Sequence, residues 1–224
     1  MEKELIINGV KYVKWEEPKV YQVFDLIKYN GYEWIVIKVE DNRLTLMMKN
    51  CLSEEKMSKI FNSKYLQGNF IFYCLNPAKD SYDLKDSDWN RTEIKRGLNN
   101  EFLEEFNKGD LIEMKTNFDL DKYSYDYIRI PTVIDIYELW EYKRIKPDYN
   151  CWTMSPAIYT VNDRSIWTIN ANSEDYDSYR NYNVFPDETV DGAAAVRPVI
   201  TIKSDNPNIE KIGTVWVQRK CLKN

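Results

Sequence analysis

Ser53-Glu54-Glu55-Lys56 puts a serine and a lysine at the Ser-x-x-Lys spacing of acyl enzymes in which lysine activates a serine nucleophile. The partner motifs of those enzymes are missing from the chain. The same serine stands where a helix N-cap would, ahead of two acids that suit a first helical turn, and the cap is the reading adopted. The chain has no histidine. That removes Ser-His-Asp and Cys-His catalysis, His-x-x-Glu-His zinc sites and imidazole pH switching together. No two of the cysteines Cys51, Cys74, Cys151 and Cys221 lie within four residues, so Cys-x-x-Cys zinc and redox motifs are absent. They read as small buried hydrophobes. No catalytic residue, no metal and no cofactor is expected.

Asp83, Asp86 and Asp88, and again Glu174, Asp175 and Asp177, could offer oxygens to calcium. No Asp-x-Asp-x-Asp-Gly loop and no Glu-Pro-Asn sugar motif accompanies them, so they read as solvated acidic loops. The 36 acids contain many pairs that could serve a carboxylate-dependent hydrolase, but nothing in their spacing selects one. Seven scattered glycines make no phosphate loop. Acids outnumber the 31 lysines and arginines, and the net charge is −5. The basic clusters Lys143-Arg144-Lys146 and Arg219-Lys220-Lys223 are short, so direct nucleic-acid binding is not the expected role.

Tyrosine is abundant, at 17 residues. Tyr123, Tyr125 and Tyr127 form one cluster, and Tyr176, Tyr179 and Tyr182 another, both in stretches that read as loops. Tyrosine offers rigid, amphipathic contact area at low entropic cost, which binding loops favour. Codon usage in an AT-rich genome, which also raises Lys, Asn and Ile, accounts for the number equally well. Segment 173–183 has three tyrosines and three acids but no sizeable aliphatic side chain, so it cannot bury itself. With Asp175 and Asp177, these six tyrosines are the expected partner-binding residues.

The elements that hold these residues begin as hairpins. Asn8-Gly9 and Asn30-Gly31, each between apolar runs, are type I′ turn signals, and Asp41-Asn42 marks a third turn. Ser53 opens a short helix toward Phe61. Ile94, Leu98, Phe102 and Phe106, spaced by four, make one helical face over 92–106, or two short helices broken near Gly97. A second helix begins at Thr132, with Asp135 at the capping-box position. Strands follow over 157–161, 165–170, 196–202 and 214–217. Strands, then helices, then strands indicate α+β.

Four motifs recur in a telling order. They are Trp89-Asn90-Arg91-Thr92-Glu93-Ile94-Lys95-Arg96-Gly97-Leu98-Asn99, Ile130-Pro131-Thr132-Val133-Ile134-Asp135, Cys151-Trp152-Thr153-Met154-Ser155-Pro156 and Val196-Arg197-Pro198-Val199. Together they resemble an uncharacterised domain family of low-GC Gram-positive bacteria and their phages. Its pattern runs W-x-x-S-x-I-R-x-W-L-N, L-x-S-x-x-E, W-W-L-R-S-P and G-V-R-P. The resemblance spans roughly 23–203. It implies a C-type-lectin-like fold of small antiparallel sheets, two main helices and long loops, and it implies no activity. The chain departs from the pattern at Thr92, Lys95, Gly97, Cys151, Met154 and Ala195, so a polar site built on the family's Arg and Trp residues is not carried over. Trp89, Asn99, Trp152, Ser155, Arg197 and Pro198 read as structural: core anchors, a backbone cap, a carbonyl partner and a strand start.

The expected organisation is an N-terminal hairpin extension over 1–19, a lectin-like domain over 20–204 and a C-terminal strand and tail over 205–224. No apolar run is long enough to span a bilayer and no signal peptide is evident, so the chain reads as cytoplasmic. The expected function is a non-enzymatic recognition module of phage or mobile-element type. It would meet a protein or glycan through its tyrosines. The alternatives are a phage-encoded inhibitor that presents an acidic surface to a bacterial defence complex, and a carboxylate-dependent hydrolase.

Overall fold

A computed structural model describes residues 4–7, 10–13, 19–73, 88–119, 121–138, 148–158, 164–169, 184–189 and 193–215. Its elements, in chain order, start with β1 (Glu4–Ile7), β2 (Val10–Val13), β3 (Asp25–Tyr29), β4 (Tyr32–Glu40), β5 (Arg43–Met48), α1 (Glu54–Ile60), β6 (Leu66–Gln67), β7 (Phe70–Phe72) and α2 (Glu93–Gly97). Next come β8 (Met114–Asp119), β9 (Lys122–Asp126), β10 (Ile128–Arg129), α3 (Val133–Glu138) and β11 (Cys151–Ile158). The chain continues through β12 (Arg164–Ile169), β13 (Val184–Thr189), β14 (Ala193–Ala194), β15 (Val199–Lys203) and β16 (Glu210–Thr214).

The protein is α+β with antiparallel sheets. The largest sheet has the order β10-β15-β5-β4-β3-β16, and each pairing in it is antiparallel. Turn chemistry sets its centre. Asn30 and Gly31 both take positive φ, 51° and 80°, as a type I′ turn between β3 and β4 requires. Asp41 does the same between β4 and β5, at φ 44°.

β4 and β5 are buried on both faces. Trp34, Val36, Leu44 and Leu46 face the main core, where they meet Met57 and Ile60 of α1, Ile94 of α2, and Leu98, Phe102, Trp89 and Trp152. Ile35, Ile37 and Met47 face the other way, with Phe24 and Val199. Val199 is thus on the opposite face of the sheet from Trp89 and Trp152. The period-2 alternation of a strand sends its neighbour Ile200 to the tryptophan side instead.

The helix starts are as the sequence implies. The Ser53 hydroxyl accepts the Lys56 N–H at 3.3 Å and caps α1. Thr132 and Asp135 form a reciprocal capping box: Thr132 Oγ1 accepts the Asp135 N–H at 3.1 Å, and Asp135 Oδ2 accepts the Thr132 N–H at 2.7 Å. The 92–106 segment is broken, as the glycine suggests. α2 ends at Gly97, a π-helical turn covers Leu98–Phe102, and a 3-10 turn covers Leu103–Glu105.

Other expectations need correction. The strand expected over 196–202 begins only at Val199; Arg197 and Pro198 bond instead to the end of β5, at Met48, and to Lys49 just beyond it. The last described strand is Glu210–Thr214, earlier than expected, paired to β3 across a bulge between Lys211 and Gly213. The β8–β9 hairpin was not foreseen. Met114, Thr116 and Phe118 of β8 and Ser124 and Asp126 of β9 face inward, so the apolar alternation of β8 is interrupted at Thr116 and that of β9 is polar throughout.

Candidate functional site

The β8–β9 hairpin turns two tyrosines outward. Tyr123 and Tyr125 are 47% and 56% exposed, separated along β9 by one inward residue. Across the ladder Tyr125 faces Lys115 and Tyr123 faces Asn117. The Lys115 ammonium lies 4.5 Å from the Tyr123 ring centroid and 5.9 Å from that of Tyr125, a cation–π arrangement that holds both rings side by side. The two tyrosines, expected on a loop, therefore stand on a strand, which fixes their spacing at roughly 7 Å, two residue rises. Tyr127 differs. It is half-buried, packs against the main core, and has Lys108 Nζ 4.6 Å from its ring centroid. It belongs to the hairpin's foundation rather than its face.

Beneath the hairpin lies a polar network. Asp126 is 1% exposed and accepts Trp89 Nε1–H at 3.0 Å. The Ser124 hydroxyl, also buried, lies against Asp126 Oδ2 and Asn90 Oδ1. Lys95 reaches in from α2: its Nζ is 2.7 Å from Asn90 Oδ1, 2.7 Å from Ser124 Oγ and 3.1 Å from Asp126 Oδ1. Asn90 also donates to the Tyr123 carbonyl at 3.2 Å. The underside of β9 is therefore tied to α2 and the turn before it by directed bonds, and the outer side is left to its aromatic rings.

Lys95 and Ser124 reproduce the contact of a serine–lysine dyad. Ser124 is 0% exposed, and its hydroxyl lies against a carboxylate and an amide oxygen. A substrate carbonyl cannot reach it, so the arrangement is structural. Ser53 and Lys56 are separated in purpose too. The serine caps α1, and Lys56 Nζ pairs with Glu105 Oε1 at 2.8 Å.

The motif residues all point inward. Trp89 and Trp152 are 0% exposed, and Trp152 Nε1–H donates to the Ile71 carbonyl at 2.7 Å. Asn99 clamps the entry to β10. Its Oδ1 accepts the N–H groups of Tyr127 and Ile128 at 3.0 and 3.1 Å, and its Nδ2 donates to the Ile128 carbonyl at 2.7 Å. Ser155 Oγ accepts the Val133 N–H at 3.1 Å, serving the start of α3. Arg197 is fully buried and donates to the carbonyls of Met48 and Lys49, each at 2.8 Å. Burial pushes its pKa down. The Pro198 carbonyl accepts the Met48 N–H at 2.9 Å.

Tyr176, Tyr179, Tyr182, Asp175 and Asp177 lie outside the described residues, as do both basic clusters. Among the described residues no group of three or more Cys, Asp and Glu side chains is placed to hold a metal ion, and no helix is long and apolar enough to cross a membrane. Sequence reading missed Lys115 and Asn117, the cross-strand partners of the tyrosines. The signal was an alternation on both sides of Asp121, with Met114, Thr116 and Phe118 inward before it and the polar Ser124 and Asp126 inward after it. No protein-family model, no curated protein and no solved structure matches this chain, so its reading rests on its own residues.

Proposed function

We propose that the protein is a non-enzymatic recognition module of phage or mobile-element type, on a C-type-lectin-like α+β scaffold, and that the outer face of the β8–β9 hairpin is part of its contact surface. One observation carries the reading. Tyr123 and Tyr125 stand exposed side by side on a hairpin whose underside is pinned by Lys95, Asn90, Ser124 and Asp126. Large aromatics presented on a preordered backbone lose little entropy on binding, and tyrosine is enriched in the energetic centres of interfaces. The partner is a protein or a glycan, since the rings, the Lys115 ammonium and an amide suit both apolar stacking and hydrogen bonding.

The test is the double variant Tyr123→Ser/Tyr125→Ser. Both side chains are exposed, so its melting temperature should match that of the parent within a degree or two. On a glycan array, and in photo-cross-linking from position 117 in a lysate, parent signals should weaken by more than tenfold in the double variant, about 1.4 kcal/mol. Signals that persist unchanged in a folded double variant place the contact surface elsewhere.

A further inference from the structure

Lys115 and Asn117 of β8 and Tyr123 and Tyr125 of β9 make the outer face of the β8–β9 hairpin. None of the four is a plain hydrocarbon side chain, and the lysine sits at the centre. Its ammonium lies 4.5 Å from the Tyr123 ring centroid and 5.9 Å from that of Tyr125, and it meets no carboxylate among the described residues. The neighbouring lysines differ. Lys122 pairs with Asp119 at 3.0 Å and Lys95 with the buried Asp126 at 3.1 Å. The exposed acids Glu113 and Asp121 stand at the two ends of the hairpin, and neither forms an ion pair with Lys115. Lys115 is therefore an uncompensated cation held between two exposed rings. Salt screens charges farther than about 8 Å away, so the chain's net charge of −5 weighs less on this face than the ammonium between the rings.

Lysine is depleted at the cores of protein–protein interfaces, and those cores need apolar area around their anchors. A sugar ring suits this face better. Its C–H faces are drawn to the negative faces of aromatic rings, and its hydroxyl edges bond to an ammonium and an amide. We infer that the outer face of the hairpin binds an acidic polysaccharide of the polyuronide class. Pyranose units stack on Tyr123 and Tyr125, a uronate carboxylate pairs with the Lys115 ammonium between them, and Asn117 bonds to ring hydroxyls. The inference rests on this face being the contact surface. The two rings follow one another along a single strand, so they receive successive parts of one linear chain. The contacts of Lys115 with both rings restrict its rotamers before the ligand arrives, which lowers the entropy lost on pairing. Exposed ion pairs are weak, so the rings supply most of the affinity and the carboxylate sets the preference. A single-stranded nucleic acid would also stack on the rings, but it calls for a groove of cations along its phosphates, and here one free ammonium serves both rings.

The test is affinity electrophoresis of the full chain in native gels containing polygalacturonate or its fully methyl-esterified form, with a fluorescent oligothymidylate as a third probe in solution. Polygalacturonate should retard the parent. The neutral ester keeps the stacking faces but loses the charge, and should bind several-fold more weakly. Tyr123→Ser/Tyr125→Ser should weaken retardation by polygalacturonate more than tenfold. Lys115→Gln should abolish the preference for the acid over the ester, and Lys115→Arg should restore it. The substituted side chains are all exposed, and a melting curve for each variant confirms its fold. Equal retardation of the parent by the two polymers, or a preference that survives Lys115→Gln, would overturn the inference. So would oligothymidylate binding as tightly as polygalacturonate, which would mark an unselective polyanion surface. If neither polymer retards the parent, while cross-linking from position 117 still captures a protein in a tyrosine-dependent way, the contact surface stands and the polyuronide falls. If both experiments are negative, both fall.

Discussion

Gly97→Ala sets two effects of known size against each other. Gly97 is the last residue of α2, and alanine there should gain about 1 kcal/mol of helix propensity. A Cβ at this position would stand 2.4 and 2.5 Å from two ring carbons of Phe61 and 2.9 Å from Ile60 Cγ2. Ordinary carbon contacts begin near 3.5 Å, so the ring would have to retreat by about 1 Å. Phe61 and Ile60 are both buried in the main core, and a forced shift in such packing costs about 1–3 kcal/mol. The clash wins, with a net loss of about 1 kcal/mol, reaching about 2 if the ring cannot turn. For a chain of this size that lowers the melting temperature by roughly 2–4 °C per kcal/mol. Urea unfolding followed by fluorescence of the buried Trp34, Trp89 and Trp152 reads the change directly. Phe61→Leu in the same protein should relieve the clash, so the two substitutions should couple by more than 1 kcal/mol in a double-mutant cycle. A higher urea midpoint for Gly97→Ala alone would refute the reasoning.

Asp126→Ala strips the partner from Trp89, Ser124 and Lys95 at once, so it should cost about 3 kcal/mol, the low end for a broken buried pair because Lys95 is 23% exposed. Thermal melts together with hydrogen exchange over 122–126 check it, and a loss below about 1 kcal/mol would show that the network does not anchor the hairpin. Asp135 gives an acid dependence. Burial pushes its pKa up, but the Arg129 guanidinium and the Thr132 hydrogen bonds outweigh this and hold the carboxyl below its ordinary value. A depressed folded pKa contributes stability that is present above the unfolded value near 3.9 and is lost as pH falls through the folded one. Urea midpoints from pH 7 down to pH 2 should therefore fall less steeply in Asp135→Asn than in the parent, and parallel slopes would contradict the assignment.

Legibility tracked the range of the interaction. Asn30-Gly31, Ser53 and the Thr132–Asp135 box were readable because each acts on a backbone within four residues, and the structure places all three as the sequence implies. The α+β class followed from the order of such local signals. The candidate site was half legible: Tyr123 and Tyr125 were named as contact residues, but on a loop, and Tyr127 was grouped with them. Residue type tells that a tyrosine can bind; only a ladder partner tells which way it points. Lys115 and Asn117 became its neighbours through pairing across β8–β9, and Tyr127 turned inward where Asn99 clamps its backbone.

By itself the sequence determined the chemistry withheld, no imidazole and no chelating cysteine motif, together with the caps and turns that act locally. The tertiary structure decided what depends on partners distant in the chain. It placed Val199 on the far face of the sheet, because a strand's parity is set by its neighbours in the sheet. It gave the motif residues to backbone carbonyls and buried amides, because a buried polar group must find a partner wherever the chain returns. It also brought Cys51 and Cys151 into one small buried cluster with Ala195, which no local spacing encodes.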